Sequence, residues 1–128
     1  MKYSKQQIKA INHLDGPALV LAVPGAGKTT VLLERIKNLI ANGIDSNTIL
    51  VMTFSKAQAL DMQERFYKKY DIDGVTFSTI HSFAFRILRS FYKRFGKEVN
   101  LIETNPNYNK YEVIRKLNYQ VNGTSLTD

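Results

Sequence analysis

Cysteine is absent from all 128 residues. That excludes disulfides, thiolate metal sites and cysteine nucleophiles, and it fits a reducing compartment. Long apolar runs are also missing. The longest, Ala18 to Val23, is far below the ~20 residues of a membrane span. The N-terminus, Met1-Lys2-Tyr3-Ser4-Lys5, leads into a polar helix pattern and not into the apolar centre of a signal peptide. These absences lead us to expect a cytoplasmic protein with no membrane partner. Acidic residues are outnumbered, with 11 Asp and Glu against 18 Lys and Arg and a formal charge of +7. A basic balance favours a polyanionic partner, nucleic acid before membrane here. The hydrophobic fraction, 44%, suffices for the core of one domain.

What is present centres on Ala22-Val23-Pro24-Gly25-Ala26-Gly27-Lys28-Thr29. This stretch follows the apolar run and precedes a helical pattern that opens at Thr30. Strand, glycine loop and helix is the context a phosphate-binding loop needs. A loop wrapped around a polyphosphate turns its backbone N–H groups inward, and side chains obstruct that. Gly25 and Gly27 remove the obstruction and permit positive φ. The next helix aims its positive end at the phosphates. Lys28 can reach the β- and γ-phosphates, and the Thr29 hydroxyl can ligate Mg²⁺. Ala22 stands where the motif has its first glycine.

Taken in order, the chain alternates strands and helices, which implies parallel βαβ units with right-handed crossovers. Ser4 with Gln7 has capping-box spacing and starts a helix that runs to about His13, with Ile8, Ile11 and Leu14 as its apolar face. Residues 18–23 read as a fully buried strand at the centre of a parallel sheet. A helix over 28–42 carries Val31, Leu32, Arg35, Ile36, Leu39 and Ile40 at the 3.6 period. Residues 48–54 form a second strand, 56–70 a helix with Ala59, Met62 and Phe66 inward, and 75–78 a short third strand. A helix over 80–95 has Phe83, Ile87, Phe91 and Phe95 on one stripe. Beyond Gly96 the text is irregular until a weaker amphipathic helix with Tyr111, Ile114 and Leu117, and the tail from Val121 to Asp128 is expected to fray.

Four further groups carry two readings each. Gln7 is a capping partner for Ser4 or an amide that reads adenine through one donor and one acceptor. Phe54, Ser55 and Lys56 end the second strand, on the edge where open parallel sheets bind ligands. Phe54 there stacks on a base or sits in the core, and Lys56 can meet a phosphate. Ser78, Thr79 and His81 end the third strand and suit phosphate and sugar contacts or helix capping. Residues 79–97 hold Arg86, Arg89, Lys93, Arg94 and Lys97 without an acid, interleaved with aromatics. That is a nucleic-acid patch or the solvated face of a helix whose other face is apolar.

A hydrolytic phosphate-loop enzyme needs a carboxylate that holds Mg²⁺ and another that polarises water. No run of four apolar residues ends in Asp or Glu. Glu103, after Leu101-Ile102, is the nearest candidate, and Asp61 and Glu64 read as helix surface charges. The plainest expectation is the opening part of a longer enzyme.

In this order and spacing the segments resemble the superfamily 1 DNA helicases of the UvrD/Rep/PcrA type, from Tyr3 to about Leu117. Gln7-Ile8-Lys9-Ala10-Ile11 is similar to the family's Q motif, which implies adenine recognition. Ala22 to Thr29 is similar to motif I, where this family commonly has alanine first. Thr53-Phe54-Ser55-Lys56-Ala57-Gln58-Ala59 is similar to motif Ia, and Ser78-Thr79-Ile80-His81-Ser82-Phe83 to motif Ib; both imply contact with single-stranded DNA. Motif Ia usually reads Thr-Phe-Thr-Asn-Lys-Ala-Ala; Ser55 keeps the hydroxyl, while Lys56, Ala57 and Gln58 differ.

The resemblance implies an α/β fold, an incomplete RecA-like core with helices on both faces of a parallel sheet. Residues 1–98 would be the first part of ATP-binding domain 1A, and 99–128 the start of helical subdomain 1B. Domains 2A and 2B and the rest of 1A and 1B would be its partners. The implied activity is ATP-driven, 3′ to 5′ translocation on single-stranded DNA and unwinding of duplex DNA, as in DNA repair. Lys28 would be the catalytic cation. Ala22, Pro24, Gly25, Ala26, Gly27, Thr29 and Thr30 would hold ATP, Thr29 would hold Mg²⁺, and Gln7 would orient adenine. Phe54, Ser55, Lys56, Thr79 and His81 would line the strand path. Without the Asp-Glu motif these residues alone are expected to hydrolyse almost nothing. Two other classes fit the residues: a small-molecule phosphate-loop kinase, and a nucleic-acid-binding module that never hydrolyses ATP.

Overall fold

The computed structural model describes residues 3–101 and 106–123. Glu103 and most of the tail, residues 124–128, lie outside them. The chain divides into two compact units, Met1–Ala84 and Phe85–Asp128.

The first unit opens with α1, Lys5–Ile11. Its capping box forms: the Gln7 N–H donates to Ser4 Oγ at 3.2 Å, and the Ser4 N–H donates to Gln7 Oε1 at 2.8 Å. Ile8 stays 46% exposed, so the apolar face of α1 is only half covered, and the helix ends at Ile11, short of His13, which leaves Leu14, 41% exposed, outside it. α2, Lys28–Ala41, buries Val31, Leu33 and Ile36. Leu33 and Ile36, three apart on one face, join the core, while Leu32 is 40% exposed and the buried Val31 lies on a different face. The side chains of α2 hold the end of α1: Asn38 Nδ2 donates to the Ile11 carbonyl at 3.2 Å, and Arg35 donates to the Ala10 carbonyl at 3.5 Å.

A 3₁₀ turn at Ser46–Thr48 leads into β1, Leu50–Thr53. α3, Lys56–Tyr70, follows, with Ala59, Met62 and Phe66 buried as the spacing predicts. β2, Thr76–Thr79, lies parallel to β1, with Leu50 opposite Thr76 and Thr53 opposite Thr79. This is one βαβ unit, as the alternation implied. Leu33, Ile36, Val51, Met62, Phe66 and Val75 form the core between the helices and one face of the sheet. Phe66, 1% exposed, is its centre, with the Tyr70 and Phe77 rings 5.0 and 5.8 Å away. On the other face of the sheet Met52 is 52% exposed.

One expectation fails here. Residues 18–23 are not a strand: β1 and β2 alone make the described sheet, and Leu19 and Leu21 are each 85% exposed. A central strand needs a hydrogen-bonded neighbour and cover on both faces, and no described residue supplies this run with a ladder partner.

The second unit begins within α4, Ile80–Lys93. Its predicted core stripe is open, with Ile87, Phe91 and Phe95 all more than half exposed. After a turn at 94–96 the next helix among the described residues is α5, Lys110–Asn122, capped by the Asn109 side chain and ended by Gly123 at φ 66°. Val121 and Asn122, expected to fray, belong to this helix. No residue of α4 or α5 is buried.

Candidate nucleotide and nucleic-acid site

The loop at 22–27 has the conformation its glycines allow. Gly25 and Gly27 take φ 77° and 75°, the left-handed region that side chains resist. Gly27 is the N-cap of α2, and no side chain caps that end, nor does its first turn carry an acid. The first N–H groups of α2 are therefore left to an external acceptor, next to the helix's positive end. The Ala26 N–H donates to the Val23 carbonyl at 3.2 Å and closes the turn. Lys28 folds over the loop, and its Nζ donates to the carbonyls of Val23 at 3.0 Å and Ala22 at 3.4 Å. Carbonyls are weak competitors for an ammonium, so a phosphate can displace them. Thr29 and Thr30 follow in the first turn of α2.

Gln7 forms the predicted cap and a second bond that the sequence did not announce. Its Oε1 completes the cap of α1, while its Nε2 donates to the Ala26 carbonyl at 3.2 Å. One side chain thus fastens α1 to the glycine loop. The amide keeps one lone pair and one N–H beyond these bonds, the complement that adenine recognition requires. Beside it a mostly apolar cavity of about 440 Å³ is lined by Gln7, Ala10, Val20, Lys28, Val31 and Arg35, among others. Among the described residues no carboxylate lines it.

These residues fit a nucleotide polyphosphate: glycine backbone, helix end and lysine converge with no described acid against them. They offer Mg²⁺ little. Among the described residues no group of three His, Asp or Glu side chains could hold a metal. Thr29 would add a single hydroxyl to a shell supplied by phosphates and water.

The second predicted group also converges. The register that sets Thr53 opposite Thr79 brings Phe54–Lys56 and Ile80–Ser82 to one edge of the sheet. Phe54 is 93% exposed, so it is not a core residue, and its ring is available for stacking. Ser55 caps α3, accepting from the Gln58 N–H at 3.2 Å, and Lys56 is exposed in the first turn. Thr79 is 8% exposed and caps α4, its Oγ1 accepting from the Ser82 N–H at 3.1 Å. Its hydroxyl is committed to the fold, whereas His81 is exposed. No described helix is long and apolar enough to cross a membrane.

A tie not foreseen from the sequence secures this frame. Glu34 of α2 accepts from Tyr3 Oη at 2.7 Å and from Lys69 Nζ of α3. Burial pushes the Glu34 carboxyl up, but the hydrogen bonds from Lys69 and Tyr3 outweigh it and hold the pKa down at about 2. The available signal was that Glu34 is the lone acid of α2.

An α/β unit with a glycine loop at a helix N-terminus and a small parallel sheet is thus the class that fold and site define. Residues 3–124 match the family described as the UvrD/REP helicase N-terminal domain, and the chain belongs to that family. It is 37% identical over 109 residues to an ATP-dependent helicase/nuclease protein of Lactobacillus johnsonii, covering 71% of this chain and 9% of that protein. It is 41% identical over 87 residues to DNA helicase II of Rickettsia typhi, covering 67% of this chain and 13% of that protein. An ATP-dependent helicase/nuclease protein of Heliobacterium modesticaldum is 32% identical over 111 residues, covering 73% of this chain and 8% of that protein. The chain therefore spans only about a tenth of the length of these curated relatives. The mixed α/β architecture with a small parallel sheet is that of an incomplete RecA-like core.

Proposed function

We propose that this chain is the nucleotide-binding opening of an ATP-driven DNA helicase, with single-stranded DNA passing the edge formed by Phe54–Lys56 and His81. The observation that carries the reading is the uncapped N-terminus of α2 behind Gly25 and Gly27, with Lys28 folded over it. Those N–H groups and the Lys28 ammonium bind phosphate charge, and Lys28 stabilises the charge that builds on the transferred group. Thr29 is the residue that would hold Mg²⁺, which would supply positive charge to offset that of the phosphates. Gln7 orients adenine with its remaining donor and acceptor while fixing the loop through Ala26. Phe54 stacks on a base and Lys56 meets the backbone. Residues 1–98 correspond to part of domain 1A and 99–128 to the start of 1B. Translocation is 3′ to 5′ and the setting is cytoplasmic DNA repair, by likeness to the family.

Titration of the chain with a fluorescent ATP analogue tests this. Lys28→Ala removes a charge-assisted contact of about 1.5–3 kcal/mol, so affinity falls roughly ten- to a hundredfold. Unchanged affinity would sink the assignment. Gln7→Ala is expected to narrow the preference for ATP over GTP; an equal loss for both would leave Gln7 as a positioning residue only. Phosphate release by the chain is expected to stay at background, and turnover that disappears with Lys28→Ala would contradict that.

A further inference from the structure

The polar side of α4 forms one wall of an open basic cavity on the surface of the second unit. Arg86, Arg89 and Lys93 follow each other at steps of three and four, so they share one helical face, opposite Ile87 and Phe91. The helix stops at Lys93, and the chain turns back on itself. The Gly96 N–H donates to the Lys93 carbonyl and the Lys97 N–H to the Tyr92 carbonyl, each at 3.1 Å. Residues 97–100 return beside that face and line, with it, an open cavity of about 430 Å³. Its walls hold Arg86, Arg89, Lys93 and Lys97 against one acid, Glu98, with the Ser90 hydroxyl and the Asn100 amide between them. Among the described residues no ion pair forms to Arg89, Lys93 or Lys97.

We propose that this cavity grips the phosphodiester backbone of nucleic acid without reading its bases. It rests on the DNA reading above for the class of polymer, and it adds a second contact to that of the Phe54–His81 edge. From Arg86 to Lys93 the cations span about 10 Å of helix, the axial reach of about three nucleotides of one strand. That length suits a polymer better than a single anion. Guanidinium, ammonium, hydroxyl and amide donors are the groups that phosphate oxygens accept from. Among the described residues no aromatic ring lines the cavity, so it holds nothing that stacks on a base.

The test is fluorescence anisotropy of a labelled twelve-nucleotide oligothymidylate with the full chain across a KCl series. The variant Arg89→Ala/Lys93→Ala/Lys97→Ala should lose affinity about ten- to a hundredfold at low salt. Its plot of log K against log salt should be shallower by about 2, three single-strand contacts at ~0.7 each. Helix content should hold, since alanine favours helices. A mixed-sequence strand should bind as well as oligothymidylate. Lys5→Ala/Lys9→Ala/Lys37→Ala removes the same charge from exposed sites elsewhere and should cost less than threefold. An equal loss from that control would show bulk charge only and overturn the proposal. So would stronger competition by inorganic phosphate than by chloride at equal ionic strength, which would assign a small-anion site. If wild type binds and Phe54→Ala weakens it while the triple variant does not, this cavity is excluded and the DNA reading stands. If wild type does not bind at any salt, the DNA reading fails and this inference with it.

Discussion

Residues 18–23 and 48–54 are apolar or largely apolar segments of similar length, and both read as buried strands. Only the second became one. Val51 is 6% exposed in a parallel ladder, while Leu21 is 85% exposed with no ladder among the described residues. The difference does not lie in composition. β1 is followed by α3, whose Met62 and Phe66 cover it, and then by β2, which satisfies its backbone. The run at 18–23 is followed by a loop and by α2, whose Leu33 and Ile36 join the core with Val51 of β1 instead. An apolar run states what can be buried; a neighbour decides whether it is. The glycine loop keeps its form regardless, because Gly25, Gly27 and the Gln7–Ala26 hydrogen bond do not depend on that run being covered.

The sharpest way to break that comparison is to remove the cover of β1. Phe66→Ala should cost about 3–5 kcal/mol, read from urea unfolding, because Phe66 is 1% exposed and touches both Tyr70 and Phe77. A cost below about 1 kcal/mol, the level of an ordinary surface change, would mean that the βαβ core is not the stable part of the chain. Gly74→Ala comes next, at about 2–3 kcal/mol. Gly74 has φ 94°, and a Cβ there would overlap Ser46 Oγ and lie 3.0 Å from Asn47 Oδ1. A neutral result would show that the turn before β2 relaxes freely.

What could be read in advance follows the same division. Local devices were legible: the Ser4–Gln7 capping box, the glycine loop, and α3 from Lys56 to Tyr70 with its three inward residues. So was the pairing of segments at the edge, since successive parallel strands end together. What depends on contact across the sequence was not. Gln7 to Ala26 and Glu34 to Tyr3 and Lys69 join residues 19 to 35 positions apart, and no period marks them. Phe54 and Phe66 look alike in the text, yet one is 93% exposed and the other 1%.

The Glu34 tie sharpens the comparison from the side of charge. The carboxyl is held at about 2, below its ordinary value of 4.5. A depressed folded-state value gives stability that is present above pH 4.5 and lost as pH falls towards 2. Lys69 is raised by the hydrogen bond to Glu34, so its share persists until strongly alkaline pH. Because Lys69 is half exposed, solvent screens the pair, and Glu34→Gln should cost about 1–2 kcal/mol at neutral pH. The variant should also flatten the acid limb of the unfolding curve. An acid limb equal to that of wild type would place the tie outside the stabilising frame.

The smallest effect is the most discriminating. Leu19→Ser changes an apolar residue that is 85% exposed and makes none of the core contacts. Surface changes of this kind stay within about 0.5 kcal/mol, so Leu19→Ser should leave the urea midpoint where it is. Val51→Ser, in the run that found its neighbours, should move it by several times as much. If Leu19→Ser instead destabilises the chain, and does so more at high protein concentration, then residues 18–23 are covered in solution by another copy. Exposed backbone and apolar side chains are what invites such pairing. The two runs would then differ in who supplies the neighbour, and no longer in whether one exists.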